Sequence, residues 1–128
     1  MASAARALAH AKVNLDLRVL AREAGGHHGI ETLFHRLELA DVVRVRSDAA
    51  GRSLDLAGPE LPAAGLGPTE RNLAWRAAEA YVAATGWPAG FAIEVEKHIP
   101  VGGGMGGGSA DAGAVLRALD ALSPNPIG

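Results

Sequence analysis

A dense run of glycine between Pro100 and Gly108 constrains the fold most strongly, because six of these nine residues are glycine. Ordinary turns need one or two glycines, since only one or two positions require a positive φ. An alternating strand pattern ends just before the run, and an apolar helical stripe follows it. A backbone without side chains, next to the unpaired N–H groups of a helix start, predicts a site where phosphate lies directly on the main chain.

A linker, a common P-loop and a dinucleotide-binding loop each fit the glycine run less well. A flexible linker is disfavoured by the regular strand–loop–helix context. No Gly-Lys-Ser or Gly-Lys-Thr stands at the helix start, so the run is not the common P-loop. A dinucleotide-binding fold would place its loop after the first strand, whereas this run lies near the C-terminal end of the chain. The run is therefore interpreted as a phosphate cradle of another kind.

The bulk properties exclude several classes of protein. A length of 128 residues suits one domain, residues 1–128, with a hydrophobic core. A net charge of −2 gives no reason to expect a nucleic-acid partner, and no apolar run predicts a membrane partner. The absence of cysteine excludes disulfides and thiolate metal sites, and it is typical of a cytoplasmic protein.

Alternation of apolar and polar residues predicts the strands. The pattern is clearest over residues 13–20 and 91–96, and the stretch 30–39 fits a strand better than a helix. Residues 42–46 and 53–56 lie on either side of a polar segment, which predicts a β-hairpin.

Two helices are predicted, one before and one after the last strand. Thr69 is the expected N-cap of the first helix, and Gly86 is expected to end it. Its expected apolar stripe is Leu73, Ala77, Ala80, Tyr81 and Ala84. The second helix follows the glycine run, with the stripe Ala112, Val115, Leu116, Leu119 and Leu122.

Adjacent histidines, His27 and His28, lie in a turn-rich segment and raise the question of a metal site. Successive side chains of an extended chain point in opposite directions, so such a pair rarely holds one ion. No acidic pair stands at a suitable spacing to complete a ligand set. No metal site is therefore predicted.

The glycine run resembles the second motif of the GHMP kinases, Pro-x-x-x-Gly-Leu-Gly-Ser-Ser. It is most similar to the form in members that act on 4-diphosphocytidyl-2-C-methyl-D-erythritol, Pro-x-Gly-Gly-Gly-Leu-Gly-Gly-Gly-Ser-Ser-(Asn/Asp)-Ala-Ala. Met105, Ala110 and Gly113 depart from that form. Since the family's loop wraps the phosphates of ATP, the resemblance implies ATP-binding residues: Pro100, Gly102, Gly103, Gly104, Met105, Gly106, Gly107, Gly108, Ser109 and Asp111. For Asp111, a helix cap is the alternative.

The N-terminal third is similar to the same family. Ala11-Lys12-Val13-Asn14-Leu15 matches the pattern Ala-Lys-(Val/Leu)-Asn-Leu, and Gly26-His27-His28, Thr32 and Leu39-Ala40-Asp41 match the segments after it. The resemblance implies that Lys12, as the catalytic residue, and Asn14 lie beside the reacting hydroxyl of the substrate. It also implies that His28 binds a cytosine base on which His27 stacks. From the pattern alone, Lys12 is better explained as a solvated charge at a strand start.

Two further positions match the family near the nucleotide. Asn72-Leu73 begins a segment similar to the family's Asn-Leu-(Ile/Val)-x-Arg-Ala-Ala, which implies that both residues lie near adenine. Lys97 stands three residues before Pro100, at a family position close to the nucleotide, where a cation suits phosphate charge. Without the resemblance, residues 72–78 are explained as part of an ordinary amphipathic helix.

The resemblance implies an α+β domain like the N-terminal domain of the GHMP kinases, similar to the second domain of ribosomal protein S5. A mixed sheet with helices on one face is expected. The match covers nearly all of this chain but only the N-terminal half of the family pattern. The family's Gly-Ala-Asp-(Val/Ile)-Pro segment, with its catalytic aspartate, does not occur here. We therefore expect a domain that is incomplete at its C-terminus, inactive alone, and able to self-associate through an exposed apolar face.

The parent function implied is the ATP-dependent phosphorylation of the 2-hydroxyl of 4-diphosphocytidyl-2-C-methyl-D-erythritol, in non-mevalonate isoprenoid biosynthesis. ATP and Mg²⁺ are the expected cofactors, and the diphosphocytidyl sugar alcohol is the expected small-molecule partner. One alternative is a non-catalytic nucleotide-binding or interaction domain. Another is a different GHMP kinase, such as a homoserine or mevalonate kinase, although the long glycine run and Gly26-His27-His28 argue against it.

Overall fold

The computed structural model describes residues 2–14, 34–101 and 107–128, with only the backbone described for 12–14 and 34–38. The strands are β1 (Ala4–Asn14), β2 (Phe34–Arg46), β3 (Arg52–Ala57) and β4 (Phe91–Glu96). The helices are α1 (Leu73–Thr85), preceded by a 3₁₀ turn over Thr69–Arg71, and α2 (Gly107–Leu122). This combination confirms the predicted α+β class.

The four described strands form one mixed sheet in the order β1-β2-β4-β3. β2 is antiparallel to both β1 and β4, whereas β3 is parallel to β4. The predicted hairpin of residues 42–46 with 53–56 is wrong, because β4 lies between those two strands. The polar segment between these strands indicates only that the chain turns there, and it does not show that a later strand inserts between the two. The parallel β3–β4 pair needs a crossover, which α1 supplies.

β1 begins well before the alternation that the sequence predicted from residue 13 onwards. It pairs with β2 from Ala4↔Arg46 to Asn14↔Phe34, with a register shift between His10 and Lys12. Its core side is made of alanine, including the buried Ala9 and Ala11, so the hydrophobic contrast along the strand is low. Residues 15–20 lie outside the described part of the chain.

Both helices cover one face of the sheet, as the resemblance implied. Phe91, Ile93 and Val95 of β4 are buried beneath them, which confirms the alternation predicted there. The remaining core residues are Ala9, Val43, Val45, Ala74, Ala78, Tyr81, Ala114, Val115, Ala118, Leu119 and Leu122. Among the described helices, none has the length and apolar character needed to cross a membrane.

α1 is rotated relative to its predicted stripe. It buries Ala74, Ala78 and Tyr81, while Leu73 is 43% exposed. Asn72, and not Thr69, is its N-cap, with the side-chain oxygen accepting a hydrogen bond from the Ala74 N–H at 2.9 Å. Both residue types can cap a helix, so composition alone did not separate them.

The C-terminal ends of the helices are also defined by specific contacts. Gly86 ends α1 with φ 75°, as predicted for a left-handed C-cap. In α2, Val115, Leu119 and Leu122 are buried as expected, but Leu116 is 40% exposed. The Tyr81 hydroxyl and Asp120 Oδ1 join the two helices at 2.8 Å.

Candidate functional site

The start of α2 packs directly on the end of β4. An ideal Cβ at Gly107 would lie 3.3 Å from Ile99 Cγ2 and 3.5 Å from Lys97 Nζ. A Cβ at Gly108 would lie 3.4 Å from Leu73 Cδ1 at the start of α1. The structure thus brings together three segments that the sequence assigned to the nucleotide.

The first turn of α2 has the chemistry of an anion site. Gly107, Gly108, Ser109 and Ala110 carry only small side chains. The first N–H groups of a helix have no intrahelical acceptor, and the helix dipole places positive potential at this end. A phosphate fits such a helix start without competition from bulky side chains. The five residues from Gly102 to Gly106, also predicted to bind ATP, lie outside the described residues.

A buried ionic cluster lies beneath this helix start. Lys97 Nζ is 2.6 Å from Asp41 Oδ2 and 2.8 Å from Asp111 Oδ2. The exposed fractions are 3% for Lys97, 0% for Asp41 and 5% for Asp111. Lys97 and Asp111 were predicted to bind ATP, and the structure places both in this cluster. Asp111 lies beyond the first turn of α2 and bonds to Lys97, so it is not the N-cap.

Asp41 is the member of the cluster whose role the sequence reading missed. Its Oδ1 accepts hydrogen bonds from the backbone N–H groups of His98 at 2.7 Å and Ile99 at 2.9 Å. These residues directly precede Pro100 and the glycine run. An aspartate inside the apolar strand segment Leu39–Val43 was the available signal, because a buried carboxylate requires partners.

The three ionisable groups perturb one another. Burial, together with the neighbouring Asp41 carboxyl, raises the pKa of Asp111 to about 7, although Lys97 opposes the rise. Burial also works to raise the pKa of Asp41, but hydrogen bonds from the groups around it leave that pKa below its ordinary value. The pKa of Lys97 is raised, because the two carboxylates outweigh the effect of burial.

The backbone of Lys97 is held as firmly as its side chain. Its N–H donates to the Ala57 carbonyl at 2.8 Å, and its carbonyl accepts from the Glu60 N–H at 3.1 Å. Gly58 has φ 105°, and a Cβ there would lie 2.5 Å from both the backbone N and O of Lys97. Only glycine fits this close approach. Lys97 is therefore fixed by β2, β3 and α2 together.

Asp111 Oδ1 is buried and has no hydrogen-bond partner among the described residues. Those same residues contain no group of three or more histidine or acidic side chains that could hold a metal ion. A cavity of about 290 Å³ opens on the sheet face away from the helices, beside Arg6, Arg44 and Glu94. This cavity is separated from the start of α2 by the sheet and is not part of the site.

The residues predicted to contact the second substrate are described only in part. Lys12 and Asn14 lie in β1, opposite Arg36 and Phe34 of β2. Only their backbone is described, so their predicted substrate roles stay predictions. His27 and His28 lie outside the described residues, and the cytosine contact stays a prediction as well.

Sequence comparisons connect this site to a family. Residues 72–128 match the model of the GHMP kinases N terminal domain. The 4-diphosphocytidyl-2-C-methyl-D-erythritol kinase of Pelotomaculum thermopropionicum is 46% identical over 117 residues, which is 91% of this chain and 39% of the relative. The kinase of the same name from Thermus thermophilus is 46% identical over 120 residues, or 94% of this chain and 40% of the relative. This chain thus spans about two fifths of the length of these relatives.

Solved structures agree with the sequence comparison. A 4-(cytidine 5'-diphospho)-2C-methyl-D-erythritol kinase superposes with a TM-score of 0.65 at 39% identity, covering 97% of this chain and 42% of that one. Homoserine kinase from Cytophaga hutchinsonii superposes with a TM-score of 0.68 at 21% identity, covering 100% and 38%, which shows a shared fold alone. The chain is similar in sequence to the GHMP kinases and has the fold of their N-terminal domain.

Proposed function

We propose that residues 1–128 form the nucleotide-binding part of a kinase that transfers phosphate from ATP to the 2-hydroxyl of 4-diphosphocytidyl-2-C-methyl-D-erythritol. The observation that carries the nucleotide-binding role is the start of α2. Its first residues are small and pack on Ile99 and Lys97, so no bulky side chain of this turn covers the first N–H groups. The proposed substrate follows from the relatives named 4-diphosphocytidyl-2-C-methyl-D-erythritol kinase, which are 46% identical over about nine tenths of this chain. The reaction, its substrates and a cytoplasmic location are part of this proposal.

The described residues suit the phosphate part of ATP. Gly107, Gly108 and Ser109 would place backbone N–H groups and a hydroxyl against phosphate oxygens. The side chain of Leu73, next to Gly108 and 43% exposed, offers an apolar contact for adenine beside Asn72. ATP supplies the transferred phosphoryl group when it is bound. Mg²⁺ would be held chiefly by phosphate oxygens, as is usual where the protein offers few carboxylates.

The assigned roles on the acceptor side come from the family pattern. Lys12 would lie beside the acceptor hydroxyl, where its charge favours the alkoxide character of the attacking oxygen. Asn14 would hydrogen-bond the sugar alcohol. His28 would offer a donor and an acceptor to the edge of cytosine, and His27 would stack on the ring.

Paired glycine substitutions on one helix test the nucleotide site. Gly108→Ala adds a methyl group where phosphate must approach, so we expect the Kd for ATP to rise about tenfold, or about 1.4 kcal/mol. Gly113→Ala is the matched control, because both changes remove a glycine from α2. The new Cβ at residue 113 would contact only the end of the Arg117 side chain. Isothermal titration of the three proteins with ATP gives the comparison.

The outcomes separate the proposal from its alternatives. An equal Kd in wild type and Gly108→Ala contradicts phosphate binding at the start of α2. No detectable ATP binding in the wild type contradicts the nucleotide-binding role. The same titration repeated with cytidine diphosphate in place of the sugar-alcohol substrate tests the choice of kinase, because a homoserine or mevalonate kinase has no reason to bind cytidine.

A further inference from the structure

We propose that Asp41 is a positioning residue for the two segments that flank residues 102–106, acting through Lys97 and the backbone of residues 98 and 99. The proposal rests on the proposed function for its link to ATP, but the positioning itself is a property of the chain. Asp41, Lys97 and Asp111 are called the clamp below.

One arm of the clamp holds the chain just before the glycine run. A single carboxylate oxygen of Asp41 accepts both the His98 N–H at 2.7 Å and the Ile99 N–H at 2.9 Å. Two successive N–H groups directed at one oxygen fix the path of the chain as it leaves β4. Ile99 is 1% exposed, so this turn of backbone is also packed from the side.

The other arm holds the chain just after the run. Lys97 precedes the run and Asp111 follows it, at a separation of 14 residues, yet their side chains meet at 2.8 Å inside the protein. The second carboxylate on Lys97, Asp41 at 2.6 Å, comes from β2. The clamp therefore sets the distance between Ile99 and Gly107 independently of the residues that connect them.

Stability alone is a weak reason for such a cluster. Two carboxylates and one ammonium lose their hydration on burial, and well-packed apolar residues often stabilise a fold as well or better. What hydrogen-bonded charges provide is a defined geometry, since each oxygen and N–H has a direction. A site that aligns backbone N–H groups with phosphate oxygens depends on such geometry.

The test compares Asp41→Asn with Asp120→Asn by amide hydrogen exchange and by ATP titration. Asparagine keeps the size and one acceptor oxygen of Asp41 but removes its charge from Lys97. Asp120 is the matched control, because it lies on α2, accepts from the Ile127 and Gly128 N–H groups, and is far along the helix from the clamp. We expect both variants to be less stable than the wild type, but only Asp41→Asn changes the clamp.

We expect Asp41→Asn to speed exchange of the His98 and Ile99 amides by about tenfold, with a similar rise in the Kd for ATP, if one charge-assisted hydrogen bond is lost. We expect Asp120→Asn to speed exchange at the end of α2 and to leave these amides and the Kd unchanged. Asp111→Asn is the second variant, for use if Asp41→Asn does not fold. It should raise the Kd for ATP in the same way, because it removes the other carboxylate from Lys97.

Equal exchange at the His98 and Ile99 amides in wild type and Asp41→Asn would overturn the positioning role. So would a uniform increase along the chain that Asp120→Asn reproduces, because that is the signature of lower global stability. If the wild type binds no ATP, the proposed function fails, whereas the exchange comparison still decides the positioning role.

Discussion

Replacing Asp111 by asparagine should change how stability depends on pH. The pKa of Asp111 is raised from 3.8 to about 7 in the folded protein. Between these values the folded state holds a proton that the unfolded state has released, so stability falls as pH rises. A shift of about three units at about 1.4 kcal/mol each gives about 4 kcal/mol across the window. This is a large share of the roughly 5–15 kcal/mol that stabilises a typical domain.

The variant isolates this contribution, because asparagine cannot titrate. The charged groups that face Asp111 among the described residues are Lys97 and Asp41. The pKa of Lys97 is raised above 10.5 and that of Asp41 is lowered below 3.8, so neither titrates inside the window. Any histidine titration is common to both proteins and cancels in the difference between their profiles.

Urea unfolding followed by circular dichroism, repeated from about pH 4 to about pH 8, gives the two profiles. We expect the wild type to lose stability relative to Asp111→Asn by about 1.4 kcal/mol per pH unit through the middle of this range. Asp120→Asn is the control. Because the pKa of Asp120 is lowered, its loss should leave the slope in this window as it is in the wild type. A constant difference between wild type and Asp111→Asn would refute the reasoning.

Two further predictions concern packing elsewhere. Gly58→Ala and Gly65→Ala both place alanine at a positive φ, 105° and 77°, but only Gly58→Ala brings a Cβ to 2.5 Å from the backbone of Lys97. Urea unfolding should show that Gly58→Ala lowers the free energy of unfolding by about 2 kcal/mol more than Gly65→Ala does, and equal losses would count against the close approach. Tyr81→Phe removes the hydroxyl that donates to Asp120 and should lower the free energy of unfolding by about 1 kcal/mol. If Tyr81→Phe lowers it by the same amount when Asp120 is already alanine, this hydrogen bond contributes nothing.

The local features of the site could be predicted because their signals are local. Glycine density before a helical stripe is visible within a few residues, and it places the start of α2 to within two residues, because α2 begins at Gly107, inside the end of the run. The left-handed cap at Gly86 and the buried side of β4 follow from equally short patterns. The family resemblance then supplied the mixed sheet and the one-sided helices, which no short pattern contains.

The features that were missed depend on contacts between distant residues. Asp41 and Lys97 are 56 residues apart, and no local sequence pattern around either residue indicates that the other is its partner. Lys97 was expected near phosphate because of its family position, and no local pattern indicated its burial between two carboxylates. The hairpin prediction failed for the same reason, since the insertion of β4 between β2 and β3 is decided by the sheet as a whole.

The interior place of β4 has a consequence for synthesis of the chain. β4 is the last described strand to leave the ribosome, yet both β2 and β3 pair with it. Until residues 91–96 emerge, β3 has no partner in the described sheet, and β2 has an open edge facing solvent. Unpaired strand edges recruit other chains. A nascent chain that has emerged only as far as α1 would therefore present two unpaired strand edges at once, and the emergence of residues 91–96 is the step that removes both.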